Sequence, residues 1–262
     1  MTTHYHPGFD IFPETDPLGF QYGKDCFGPT VEFRTIDAIR PSLLDPSCTG
    51  PETVYAIAMD VGKNKDKAVL EELNLLYGAV TYAAGALGEE PIRSQGHIHI
   101  RSTFANQWST PEVYEIWRGE AIIYMQEFPG DDSGRCFAIY GQPGDVIIVP
   151  PGWVHATISA SPEKALTFGA WCVRDYGFDY DGVRKHKGIA WFPLLDENNK
   201  IKWIKNTHYN DSSLIIQSAR EYPELNLQKG IPIYTQFEKN NEQFLFVTRP
   251  DLYPEIWDKF FD

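Results

Sequence analysis

Hydrophobic positions along this chain mostly fall in short runs separated by Gly and Pro, and only one stretch repeats with a helical period. Residues 54–60 (VYAIAMD) predict a strand. From Tyr77 to Trp171 the pattern becomes a series of β-rich runs: 77–82, 112–126, 137–140, 145–149 and 165–171. Turn signals such as Phe128-Pro129-Gly130-Asp131 and Gln142-Pro143-Gly144 punctuate them. Many short strands with frequent turns predict a sandwich or barrel, so the fold class is dominated by β structure. Residues 63–76 (KNKDKAVLEELNLL) carry apolar positions near helical spacing and are the best helix candidate. Residues 1–30, rich in Pro, Gly and aromatics, predict an extended arm over the domain or over a partner subunit. Residues 34–44 alternate irregularly and stop at Asp45-Pro46, a turn signal. After Asp181 the pattern is mixed, with strands expected at 201–204 and 244–247. A short terminal helix over 250–262 is expected to dock through Trp257, Phe260 and Phe261.

Composition narrows the class. The 262 residues are 42% hydrophobic and 14% aromatic, which suits one large domain or one domain with extensions. No run of about 18 apolar residues is present, so no membrane span is expected. The first ten residues lack the basic-then-apolar order of a signal peptide. Cys26, Cys48, Cys136 and Cys172 form no CxxC pair and read as reduced thiols, which predicts the cytoplasm. A net charge of −13 argues against nucleic acid as a partner, because phosphate backbones require clustered Lys and Arg. A small phosphorylated ligand needs only a few local donors and stays compatible with that charge.

Two passages carry candidate chemistry. The first is Gly96-His97-Ile98-His99, with Glu112 and Gly119 downstream. On a strand, alternate residues share a face, so His97 and His99 point the same way and Ile98 points away. Glu112 opens the next apolar run and can face the same interior. The second passage, Gly144 to His155, brings an imidazole back after the Pro150-Pro151-Gly152 turn. Three imidazoles and a carboxylate suit one divalent transition metal (Fe, Mn, Ni, Co or Zn) better than Mg or Ca, which prefer all-oxygen shells. Glu115 is a rival ligand, but its odd spacing from Glu112 places it on the opposite strand face.

These passages resemble the two cupin motifs: Glu112, six residues, Gly119; and Gly144, five residues, Pro150, then Gly152 and His155. The resemblance implies a double-stranded β-helix, a jelly-roll-like barrel. Two departures stand out. Twelve residues separate His99 from Glu112 where cupins commonly have three or four, so 101–110 must loop at the barrel mouth, and Ser159 stands where many cupins have Asn. A narrower similarity joins Gly96-His97-x-His99, Glu112-Val113-Tyr114 and Val149-Pro150-Pro151-x-Trp153-x-His155-x-Thr157. With Phe33 to Asp37 and Val54-Tyr55 upstream, it resembles the cupin-type glucose-6-phosphate isomerase family of archaea and some bacteria. The similarity covers residues 31–190 as a cupin domain, leaving 1–30 as an N-terminal arm and 191–262 as a C-terminal extension packed on the barrel.

The resemblance implies His97, His99, Glu112 and His155 as metal ligands. It places Thr81, Ser94 and Gly96 near a substrate phosphate, with Ser94 replacing the family's usual Thr, and Tyr114 and Tyr180 along the sugar pocket. It implies interconversion of glucose 6-phosphate and fructose 6-phosphate, as in glycolysis and gluconeogenesis. Cys172 stands where the family commonly has Tyr, and Phe178 where it has His. The chemistry agrees with an isomerase: a Lewis acid polarises the sugar oxygens and a carboxylate moves the proton. Glu112 is the candidate base and Tyr114, on the same strand face, orients hydroxyls or relays a proton. Because a cation lowers the basicity of a bound carboxylate, Glu112 loosening on sugar binding and a direct hydride shift both remain open. Rival readings are a cupin dioxygenase, an isomerase of another sugar, or a sugar-binding cupin without turnover. Arg93 and Arg101 either attract phosphate or serve as rim charges, Trp117 and Trp153 read as packing, and His4, His6, His186 and His208 receive no role. The aromatic-rich ends predict a homodimer.

Overall fold

The computed structural model describes residues 5–261; His4 lies outside them. Two sheets form the barrel. The larger has six strands in the order Val146–Val149, Glu112–Arg118, Thr167–Val173, Leu75–Tyr82, Thr53–Met59 and Glu32–Thr35. The smaller has four: Val154–Ser159, Ala121–Gln126, Cys136–Gly141 and Leu214–Ser218. All neighbours run antiparallel except the last pair. This is the double-stranded β-helix expected from the motifs.

The apolar runs are nearly continuous because both faces of each sheet are covered. Tyr55, Tyr82, Tyr114, Ile116 and Phe168 face Ile123, Met125, Phe137 and Ile139 across the barrel interior. On the outer face of the larger sheet, Tyr77, Trp117 and Trp171 pack against Phe9 and Ile11 from the N-terminal segment and Tyr234, Phe237 and Phe244 from the C-terminal helices. Outside the smaller sheet, Ile122, Tyr124 and Ile158 meet Val183, Ile189 and the hairpin of Trp191–Leu195 with Ile201–Lys205.

Several elements differ from their sequence expectation. Residues 1–30 contain a hairpin, Ile11–Thr15 with Leu18–Tyr22, whose inner side chains join the core. The helix expected over 63–76 is confined to Lys67–Glu72, because Asn74 takes a positive φ and Leu75 begins a strand. The run 112–126 divides at Gly119, whose φ of 75° makes the turn and whose missing Cβ leaves room for the Ala165 carbonyl. Residues 244–247, expected as a strand, belong to a 3₁₀ turn and a helix over Leu245–Thr248. Their β-prone composition yields to packing, since Phe244, Phe246 and Val247 must all reach one buried face. The 201–204 strand forms as expected, and the terminal helix is Pro254–Asp258, with Phe260 buried behind it.

Candidate metal centre

The four motif residues converge. One ligand atom each from His97, His99, Glu112 and His155 lies within 4.8 Å of all the others. His97 and His155 are held side by side by reciprocal backbone bonds, His97 N–H to the His155 carbonyl and the reverse, at 3.0 and 2.9 Å. Glu112 enters from the larger sheet, opposite Val149.

The ring tautomers follow from the acceptors behind them. His99 Nδ1 lies 2.9 Å from the Thr110 carbonyl and His155 Nδ1 lies 3.0 Å from the Trp153 carbonyl. A carbonyl only accepts, so each Nδ1 carries the proton and each Nε2 presents a lone pair to the centre. Burial, followed by the neighbouring His155 and His99, holds the His97 pKa well below the usual imidazole range, so His97 stays neutral. Buried His97 Nε2 and His99 Nε2 have no hydrogen-bond partner. Orphaned buried nitrogens are costly, and a cation at their focus would satisfy them. The donor set therefore fits a transition metal.

The carboxylate is held from several sides. Tyr114 donates its hydroxyl to Glu112 Oε2 at 2.8 Å, and His155 Nε2 and His99 Nε2 stand 3.1 and 3.4 Å from the same oxygen. Burial pushes the Glu112 pKa up, but the neighbouring His155 and His99 rings outweigh it and keep the carboxyl well below its usual range. Tyr114 is pushed well above the ordinary phenol value by burial and by the Glu112 charge, so it remains a neutral donor. Glu115 points the other way. It is fully buried and accepts from Ile233 N–H at 2.8 Å and Trp117 Nε1 at 3.2 Å.

His97, His99 and Glu112 line a cavity of about 180 Å³. Residues 44–212 match the family model of glucose-6-phosphate isomerase (GPI). The chain belongs to the glucose-6-phosphate isomerase family. It is 29% identical over 139 residues to the glucose-6-phosphate isomerase of Pyrococcus furiosus, a match spanning 53% of this chain and 67% of the relative. The Thermococcus gammatolerans enzyme is 27% identical with the same coverage. A putative glucose-6-phosphate isomerase 1 of Rhizobium meliloti is 26% identical over 136 residues, 52% of this chain and 58% of the relative. Solved structures to which the chain is similar include an oxalate oxidase (16% identity, TM-score 0.32, 40% of this chain and 45% of that one). Another is vicilin from Corylus avellana (15%, TM-score 0.36, 50% and 33%).

Against that family background, the chamber holds some of the expected substrate residues and omits others. Ser94, Tyr114 and Tyr180 line it, as do Cys172 and Phe178. Thr81 and Gly96 are not among its lining residues. Strand alternation turns Thr81 outward between Val80 and Tyr82, which do line the chamber, and its hydroxyl pairs with Thr167 at 3.0 Å. The Cα hydrogen side of Gly96 faces Ile189 and Val183 behind the barrel. Phe178 packs on His97 with ring centroids 4.4 Å apart, forming an apolar wall beside the centre. Burial lifts the Cys172 thiol well above its ordinary pKa, so it adds a neutral wall and no thiolate.

The two arginines flanking His-x-His resolve differently. Arg93 is fully buried and committed to Glu90 and the Ser42 carbonyl, so it is neither a rim charge nor open to ligand. Arg101 is exposed and donates to the Gln107 carbonyl. The 101–110 segment does form a loop, latched by Ser102 Oγ to both Asp175 oxygens at 2.8 and 2.9 Å. Trp117 and Trp153 are packing residues. His186 is buried between the Gly182 carbonyl and Asp131, and His6 stands exposed beside Asp10.

Sequence reasoning missed Glu32, Arg34, Tyr55, Ile57, Met59 and Gln95 as chamber residues. The alternation Tyr55, Ile57, Met59 along the Thr53–Met59 strand was the available signal.

Proposed function

We propose that the protein is a metal-dependent aldose–ketose isomerase that interconverts glucose 6-phosphate and fructose 6-phosphate, a step of glycolysis and gluconeogenesis in the cytoplasm. The observation that carries this reading is the convergence of three Nε2 lone pairs and one carboxylate at a tyrosine-lined chamber in a chain of this family. His97, His99, Glu112 and His155 would hold the cation. When bound, a divalent metal supplies Lewis acidity to the sugar oxygens.

The chain's own groups supply the rest. Isomerisation moves a hydrogen between C1 and C2 and a proton between O1 and O2. The contacts of Glu112 with Tyr114, His99 and His155 all fall on Oε2, which leaves Oε1 to carry the proton between carbons. Tyr114, kept protonated, holds that carboxylate in place and offers its hydroxyl oxygen to the sugar. Ser94 accepts the Thr157 N–H at 3.0 Å and keeps its own proton for a substrate oxygen. Phe178 and Phe168 shield the reacting carbons from water. Conversion of fructose 6-phosphate in D₂O, read by NMR, checks the chemistry. Deuterium entering the product at C2 supports Glu112 as base. Turnover with no solvent deuterium indicates a hydride shift, and no turnover contradicts the isomerase reading.

The terminal aromatics that suggested a homodimer are largely used within the chain: Phe9, Tyr234, Phe237 and Phe246 are core residues. Support for a homodimer now comes from the edge strands Glu32–Thr35 and Leu214–Ser218, which expose Phe33 and Ile216 at 52% and 56%. Light scattering at micromolar concentration should give twice the 29.9 kDa chain mass, and a monomer mass would contradict pairing.

A further inference from the structure

We propose that Arg34 is the specificity-determining residue for a phosphorylated substrate, pairing with its phosphoryl group while Glu32 competes for the same guanidinium. This inference rests on the sugar-phosphate reading above. Arg34 is on the short edge strand Glu32–Thr35, in register with Tyr55, and Glu32 is in register with Ile57. Cross-strand partners share a face, so both side chains look into the chamber while Phe33 looks out. Tyr55 in turn stacks on Tyr82 at 4.7 Å.

A cation strengthens the hold on a phosphate dianion beyond what neutral donors give, and Arg34 is the single Lys or Arg among the chamber's described lining residues. The other nearby arginines are occupied or outside it. Arg93 is buried on Glu90. Arg184 lies over the Tyr180 ring at 4.9 Å and donates to Gln95 Oε1 at 3.0 Å. Arg34 is partly exposed, and its ion pair with Glu32 is one long contact of 3.4 Å to a carboxylate that is itself 66% exposed. Such a pair is weak. Arg34's other contact is with the Tyr180 hydroxyl at the same end of the chamber, and the planar fork can present two N–H groups to phosphate oxygens there. Tyr180 also belongs to this end of the chamber: burial raises its pKa, and Arg34 and Arg184 pull against that rise. Ser94 and Gln95 add polar groups to the lining.

Arg34 and Glu32 should therefore act with opposite signs. With the metal-loaded protein and fructose 6-phosphate, Arg34→Met should raise KM about 10- to 100-fold, the range of a lost charged hydrogen bond, and leave kcat within a few-fold. Arg34→Lys should recover part of that loss, and Glu32→Gln should lower KM. Competitive inhibition by inorganic phosphate should weaken in Arg34→Met and tighten in Glu32→Gln, while thermal melting of all three variants stays near wild type. Unchanged KM and unchanged phosphate inhibition in Arg34→Met, in a wild type that turns over, would overturn the assignment and spare the isomerase reading. If the wild type turns over no sugar phosphate, that reading fails, and calorimetry with inorganic phosphate still decides: equal binding by wild type and Arg34→Met overturns the role of Arg34, and weaker binding by the variant upholds it.

Discussion

Glu112→Gln is expected to cut turnover of fructose 6-phosphate by about 10²- to 10⁴-fold, the usual span for losing a positioned proton carrier, while the barrel stays folded. The amide has nearly the same shape and can still accept from Tyr114, whose hydroxyl lies 2.8 Å from Oε2. It loses the negative charge, and with it the two roles proposed for Glu112, proton acceptor and anionic metal ligand. Metal content, circular dichroism and kcat measured together separate the causes. A folded variant that retains metal and lacks turnover identifies the carboxylate as the base. A folded variant that has lost metal assigns it a ligand role. Retained metal and retained kcat would contradict both roles.

The second large effect concerns Glu115, three residues along the same strand and on its other face. Its carboxyl is fully buried, and burial raises its pKa to about 8 from 4.5, against the opposing pull of Ile233 N–H and Trp117 Nε1–H. The folded protein therefore holds a proton that the unfolded chain releases above pH 4.5. Stability is unaffected by this group below that value and falls as pH rises towards 8, by on the order of 5 kcal/mol in total. Glu115→Gln keeps a hydrogen-bonding side chain and removes the titration. Denaturation midpoints at pH 5, 6.5 and 8 should fall steeply for wild type and much less for the variant, and parallel slopes would contradict the assignment. Because Glu115 bonds to Ile233 at the start of the helix Ile233–Lys239, the same titration bears on how firmly the C-terminal segment is docked.

The candidate metal centre was legible in the sequence because its determinants are local. Period-two alternation puts His97 and His99 on one side, and the turns at Gly119 and Pro150-Pro151-Gly152 set the strands that bring Glu112 and His155 to meet them. Parity alone also separated Glu112 from Glu115. The same rule argues against a chamber role for Thr81, once the Thr53–Met59 strand shows which side of Leu75–Tyr82 faces inward. What stayed hidden depends on partners distant in sequence. Arg34 belongs to a four-residue strand whose side is set by pairing with Tyr55. Arg93 looked like a free charge until Glu90 and Ser42 enclosed it. Residues 244–247 have the composition of a strand, and only the waiting surface of Trp171 and Tyr234 makes them helical.

Reconstitution tests the central claim most directly. The protein, stripped with chelator, is reloaded separately with Fe(II), Mn(II), Ni(II) or Zn(II), and conversion of fructose 6-phosphate to glucose 6-phosphate is followed beside a metal-free control. The convergent His97, His99, Glu112 and His155 predict turnover that is absent from the control and restored by at least one metal at about one ion per chain. Equal turnover with and without metal, or no turnover in protein shown to hold each ion, would contradict it.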